Sequence, residues 1–175
     1  KLAFENIGHP FQPFIVGQRS IGPKFALMTG AKLVFYGENV AEYGNRIEEN
    51  YLPTMDPRLY TNYDFLKKNK SLDEYFLAGL PINKILKDYN FQLADFNSYS
   101  SPCENEISNA KVEVHYMSFY RKWIPQENYY YAVQKTNFEP NPVRRDGSYG
   151  KYSGIDDKME DLHYYMQYIK FGMGR

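Results

Sequence analysis

Apolar residues along this chain come in short runs cut by Gly, Pro or charge, so few elements declare themselves by pattern alone. Leu33–Tyr36 is a β-branched and aromatic run with no charge inside it. It suits a strand buried on both faces of a parallel sheet, ended by Gly37. In VEVHYMSFY, Val112, Val114, Tyr116 and Ser118 alternate with Glu113, His115, Met117 and Phe119. That period of two predicts a second strand. Ile155, Met159, Leu162, Met166 and Ile169 fall at steps of four and three, which predicts an amphipathic helix capped by Ser153 and Asp156. A further helix is expected from Pro125 to about Thr136, with Glu127 in its first turn and Lys135 in its last, as the helix dipole prefers.

Shorter signals fill in the rest. PKFALM, from Pro23 to Met28, reads as a short helix ended by Gly30 that leads into the first strand, an α/β rhythm. Upstream, Gly8, Pro10, Pro13 and Gly17 argue for an irregular, aromatic-packed lead-in over residues 4–19. Residues 45–70 show no sustained periodicity and read as an insertion with little regular structure. Ser71 with Glu74 predicts a capping box for a helix LDEYFLAG, stopped by Gly79 and Pro81. INKILKDY predicts another short helix, and Glu104–Asn109 a turn of one. There is no internal repeat and no low-complexity segment.

Composition narrows the function classes. The 175 residues carry 21 Lys plus Arg against 21 Asp plus Glu, so no global field favours nucleic acid or an anionic membrane. The single cysteine, Cys103, makes neither a disulfide framework nor a metal cluster and fits a reducing compartment. No apolar run reaches the roughly 18 residues of a membrane span, and KLAFENIGHP lacks signal-peptide architecture. A soluble, cytoplasmic protein is the expectation. The 18 Tyr and 12 Phe, in clusters such as Tyr129–Tyr131 and His163–Tyr165, suit the walls of a sugar site, but plain cores and subunit contacts are the favoured reading. Both ends read as cut from a longer protein.

Candidate chemistry concentrates in two places. Glu38, Asn39 and Glu42 follow Gly37 at the carboxyl end of a strand, where open α/β sheets bind ligands. Carboxylates there would hold a cation or accept a proton; a solvated loop with ordinary surface glutamates is the competing reading. Residues 137–154 hold two prolines, three glycines and the cations Arg144, Arg145 and Lys151, which would meet phosphate oxygens or simply face water. His163, beside Leu162, reads as a hydrogen-bonded boundary histidine rather than a catalyst. P-loop, dinucleotide, HExxH and paired-cysteine signatures are all missing. The residues by themselves support an α/β domain with an acidic strand-end loop and a basic, Tyr-rich distal loop and helix.

Four runs add a resemblance: LAFENIGHPFQPFIVGQ (Leu2–Gln18), VFYGENVAEYGN (Val34–Asn45), KWIPQENYYYAV (Lys122–Val133) and GSYGKYSGIDDKMEDLHYYMQYIKFGMGR (Gly147–Arg175). In the same order and at compatible spacing, they resemble the N-acetyl sugar amidotransferases of bacterial lipopolysaccharide O-antigen and flagellin-glycan biosynthesis. Residues 45–110 match more loosely. The resemblance implies the C-terminal part of a Rossmann-like PP-loop (adenine nucleotide alpha hydrolase-like) domain with a helical insertion. The implied reaction converts an acetamido group of a nucleotide-activated N-acetyl sugar to an acetamidino group. ATP is split to AMP and pyrophosphate, and glutaminase and cyclase-like subunits supply ammonia. The family's SGGxDS-type turn is absent from this stretch, as is its Cys-rich segment, where zinc would sit, so the 175 residues alone are expected to be inactive.

Carried over by position, Gly37, Glu38, Asn39, Glu42, Tyr43 and Gly44 match the family's GEN and EYG signature. The loop also resembles the GEGADE loop of asparagine synthetases, with Ala41 where that group has Asp. The resemblance implies Glu38 or Glu42 as Mg²⁺ ligand or proton acceptor, and Asn39, Gly37, Gly44, Gln18, Arg145, Lys151 and Lys158 around ATP. Tyr43, Tyr149, Asp157, His163 and Tyr164 would position the sugar nucleotide. Two alternatives stand beside it: a non-catalytic carbohydrate-binding or subunit-contact module built on the tyrosines, and a PP-loop enzyme acting on tRNA, which the neutral charge balance disfavours.

Overall fold

The computed structural model describes residues 1–37, 51–67, 71–144, 150–155 and 157–172. In chain order its elements are α1 (Leu2–Ile7), α2 (Gln12–Thr29), β1 (Leu33–Tyr36), α3 (Arg58–Thr61), β2 (Phe76–Leu77), β3 (Leu80–Pro81), α4 (Ile82–Asp88), α5 (Glu104–Ala110), β4 (Glu113–Tyr116), α6 (Met117–Tyr120), α7 (Pro125–Lys135) and α8 (Glu160–Phe171), with 3₁₀ turns at Phe65–Lys67 and Leu93–Phe96. The architecture is mixed α/β with a small parallel sheet. The chain forms two compact units, Gln12–Trp123 and Lys1–Phe11 with Ile124–Arg175.

In the first of these units β1 and β4 pair in parallel, Leu33 opposite Glu113 through Tyr36 opposite Tyr116. Alternation sends Val34, Tyr36, Val114 and Tyr116 to one face, where they pack with Ala26, Met55, Tyr60, Ile107 and Val112 into a core. The other face corrects the expectation of a strand buried on both sides: Leu33 is 47% and Phe35 46% exposed. Residues 53–55 close the outer edge of β4, with Met55 N–H donating to Val114 O (2.7 Å) and Tyr116 N–H to Pro53 O (3.0 Å). Met55, Tyr60 and Phe65 are all buried, so the described part of the expected irregular stretch contributes to packing and includes α3.

The short helix expected at Pro23–Met28 forms as the last turns of α2, which reaches back to Gln12, and the expected irregular lead-in is replaced by α1 and the start of α2. Gly8 takes a left-handed φ of 58° and ends α1, while Pro13 falls in the first turn of α2, where a missing N–H costs nothing. Pro23 lies inside α2 and cannot donate to the Arg19 carbonyl. The Tyr36 hydroxyl serves instead, lying 3.0 Å from Arg19 O and 2.7 Å from Gln18 O.

A second cluster in the same unit joins Phe65, Tyr75 and Phe96 edge to face, over buried Leu77, Ile82 and Ile85. The helix expected at LDEYFLAG is instead the antiparallel hairpin β2–β3, because Ala78 (φ 55°) and Gly79 (φ 80°) form a turn with both central residues left-handed. Glu74 still accepts from the Ser71 N–H at 3.1 Å, as a turn rather than a helix start. Helices α4 and α5 form where expected. The second strand is shorter than its alternation suggested, since Met117–Tyr120 turns into α6.

In the other unit α7 forms as expected, opened by Pro125. It has no buried residue, and Tyr129 holds it to the following loop by stacking on Tyr152 at 4.8 Å. Helix α8 starts at Glu160, later than the apolar spacing suggested: Gly154 is left-handed at φ 58°, and Asp157 Oδ1 accepts from Met159 N–H at 2.7 Å just before the helix begins. Ile155 and Met159 therefore lie outside it.

Candidate functional site

Of the residues proposed around the acidic loop, Glu38, Asn39, Glu42, Tyr43 and Gly44 lie outside the described residues, as do Arg145 and Tyr149. Gly37 is described. It directly follows β1 and is exposed, and among the described residues a Cβ added there would meet no atom within 4 Å. Gln18 lies half-buried on α2, its carbonyl held by Tyr36.

The remaining candidates belong to the unit containing α8. Lys151 is exposed and donates from Nζ to Pro142 O at 2.9 Å, fastening its own loop. Lys158 is exposed in the turn before α8, and Asp157 is half-buried at that turn. His163 stacks on His9 at 5.0 Å, with the edge of Phe11 at 5.4 Å, and its Nε2 lies 3.0 Å from Gln167 Nε2. A hydrogen-bonded boundary histidine was the expectation; the ring contacts were not foreseen. Tyr164, adjacent on α8, is only 3% exposed. His9 Nδ1 is buried with no hydrogen-bond partner, and burial first, then the nearby Lys170 charge, holds the His9 imidazole below its ordinary pKa. The Lys170 ammonium donates to the Ile7 carbonyl.

At the strand ends the structure assembles a group that pattern reading passed over. Because β1 and β4 run parallel, Gly37 and Met117 leave the sheet from the same end. Glu113 and His115, two apart on β4, project to the face shared with Leu33 and Phe35. His115 is buried at 8% exposure. Its Nε2 lies 3.0 Å from Glu113 Oε2 and its Nδ1 2.6 Å from the Tyr120 hydroxyl. A carboxylate only accepts, so Nε2 carries a proton, and in the neutral ring Nδ1 accepts from the Tyr120 O–H. The His115 and Tyr120 rings are parallel within 1°, and Phe35, paired with His115 in the register, meets both edge-on at 5.9 and 5.6 Å. The spacing of Glu113 and His115 was visible in the sequence. The contribution of Tyr120 depended on a helix starting at Met117.

Among the described residues no group of three His, Cys, Asp or Glu is placed to hold a metal ion, and no helix is long and apolar enough to cross a membrane. No protein-family model matches the chain, and a comparison with curated proteins gives no match.

Proposed function

We propose that this chain belongs to an ATP-dependent N-acetyl sugar amidotransferase with a Rossmann-like PP-loop core, acting in the cytoplasm on a nucleotide-activated sugar. The observation that carries the reading is the set of four runs, Leu2–Gln18, Val34–Asn45, Lys122–Val133 and Gly147–Arg175, that resemble that family in order and spacing. Support comes from the parallel β1–β4 pair, whose carboxyl end runs at Gly37 into the family-like GENVAEYG loop. An amide carbonyl is a poor electrophile. Its oxygen attacks the α-phosphate of ATP, releasing pyrophosphate and becoming part of a good leaving group; ammonia adds to the carbon and AMP departs. Glu38 and Glu42 are the carboxylates to hold Mg²⁺ beside the phosphates or to take a proton from ammonia. Lys151, Lys158 and Arg145 supply positive charge, and His163 and Asp157 orient the sugar nucleotide. Glutaminase and cyclase-like partners deliver the ammonia.

The test is to incubate the full-length protein with ATP, Mg²⁺, ammonia and UDP- or CMP-linked acetamido sugars. The expected products are AMP and a sugar lighter by the difference between O and NH. Glu38→Gln is expected to abolish turnover while the circular dichroism spectrum stays unchanged; sugar binding with no ATP consumption under any of these conditions removes the reading. One observation favours a second reading: α7 buries nothing and leaves Tyr130 and Tyr131 62% and 65% exposed, as a sugar-stacking or subunit-contact helix would.

A further inference from the structure

We propose that Glu113, His115 and Tyr120 form a proton-transfer site in which Tyr120 is the group that meets the substrate. Three features carry this. The two ring nitrogens of His115 have separate partners at 3.0 and 2.6 Å, and the acceptor-only carboxylate fixes which nitrogen bears the proton. In the neutral ring the Nδ1 lone pair is aimed at a phenol that is itself 51% exposed, while the imidazole behind it is buried. A base held by a third group and pointed at an accessible hydroxyl is the arrangement that activates hydroxyl groups in covalent and acid–base catalysis. The site lies at the end of the parallel pair from which Gly37 departs, where α/β sheets place ligands.

The ligand class is a substrate that must lose a proton from nitrogen or oxygen as it forms a bond. The Tyr120 O–H proton moves to His115 Nδ1, the phenolate takes the proton from the substrate, and the imidazolium ends paired with the Glu113 carboxylate. Net, one proton passes from substrate to His115: the lone pair on the substrate's nitrogen or oxygen makes the new bond, and the pair of the broken N–H or O–H bond stays on that atom. On the amidotransferase reading, and resting on it for this assignment alone, the proton is one that ammonia sheds on joining the activated acetamido carbon.

The experiment uses neither ATP nor sugar. The full-length protein is treated at neutral pH with an aryl sulfonyl fluoride, which sulfonylates phenolate oxygen with loss of fluoride, and each tyrosine is followed by peptide mass spectrometry. Tyr120 is expected to react about tenfold or more faster than Tyr130 and Tyr131, which are more exposed and serve as internal standards. His115→Gln is expected to bring Tyr120 down to their rate. Glu113→Gln, at an exposed position that does not threaten the fold, is expected to slow it partially, and ¹⁵N spectra are expected to report His115 protonated at Nε2. Equal rates for Tyr120 and the two standards, or a ring protonated at Nδ1 alone, overturn the proposal. A fast Tyr120 in a protein that never makes AMP retains this site and removes the amidotransferase reading; AMP formation with an ordinary Tyr120 does the reverse.

Discussion

The Tyr36 hydroxyl shares its one proton between two carbonyls of α2, Gln18 at 2.7 Å and Arg19 at 3.0 Å, the second being the one to which Pro23, four residues on, cannot donate. A strand side chain thus repairs a helix and fixes where β1 lies against α2. Tyr36→Phe removes this hydrogen bond to α2, and the expected loss is about 0.5–1.5 kcal/mol in urea unfolding. Pro23→Ala restores a backbone donor, so in a double-mutant cycle the cost of Tyr36→Phe should shrink in that background. Equal costs in both backgrounds would show that the hydroxyl plays no part in satisfying Arg19.

Two glycines near this contact make opposite predictions. At Gly22 an added Cβ falls 2.9 Å from Val34 Cγ1 and 3.0 Å from the Tyr36 hydroxyl, both on β1. Gly22→Ala pushes strand from helix and should cost roughly 1–3 kcal/mol, as overpacking does. At Gly37 nothing among the described residues lies within 4 Å, so Gly37→Ala should leave the unfolding midpoint unchanged or slightly raised. On the proposed amidotransferase reading, turnover by the full-length protein is expected to fall all the same, because the methyl would enter the space proposed for the nucleotide. Unaltered kinetics for Gly37→Ala would return that glycine to an ordinary strand end.

How much of this was legible beforehand follows from where tertiary contacts outweigh local preference. Helices α4, α5 and α7 and strand β1 were readable because their own residues, such as Pro125 at a first turn, agree with the element they form. Helix α2 was legible only over Pro23–Met28, with Pro23 read as its start. Pro13 and Gly17 argue locally against the turns before it, and the approach of Val34 and Tyr36 gives Gly22 and Pro23 their use inside the helix. The β2–β3 turn was hidden by Ala78, an unusual residue for φ 55°. At the candidate site, Gly37 and the run before it were evident, whereas the Glu113–His115–Tyr120 group required the register of β4 and the onset of α6.

The His9–His163 stack sets an acid limit. Burial, and then Lys170, lower the His9 pKa from 6.5 in the folded chain, so the unfolded chain binds the proton more readily. For a depressed folded value, the stability this group contributes is complete above pH 6.5 and drains away as pH falls toward the folded pKa. Urea midpoints measured downward from neutral pH should decline through that window, and His9→Phe, which keeps a ring against His163, should flatten the decline. A wild-type profile level from pH 7 to below the ordinary histidine range would mean that His9 is not held neutral.

The alkaline limit has the opposite sign and a different cause. Burial first, then the Asp64 carboxylate that accepts its O–H at 2.8 Å, push the Tyr75 phenol from 10.0 up to about 12. Burial likewise raises Tyr60 to about 12, with Asp56 and Glu104 adding to it. For a raised folded value the folded chain retains protons that the unfolded chain gives up, so the stability is complete below pH 10.0 and is lost as pH climbs toward 12. Tyr75→Phe should remove part of that alkaline loss and leave the Tyr60 part in place. Asp64→Asn should remove less, because burial still raises the phenol once the carboxylate is gone. Phenolate absorbance in the folded protein decides the matter: buried tyrosines that ionise together with exposed ones such as Tyr130 and Tyr131 would place neither Tyr60 nor Tyr75 in a desolvated core.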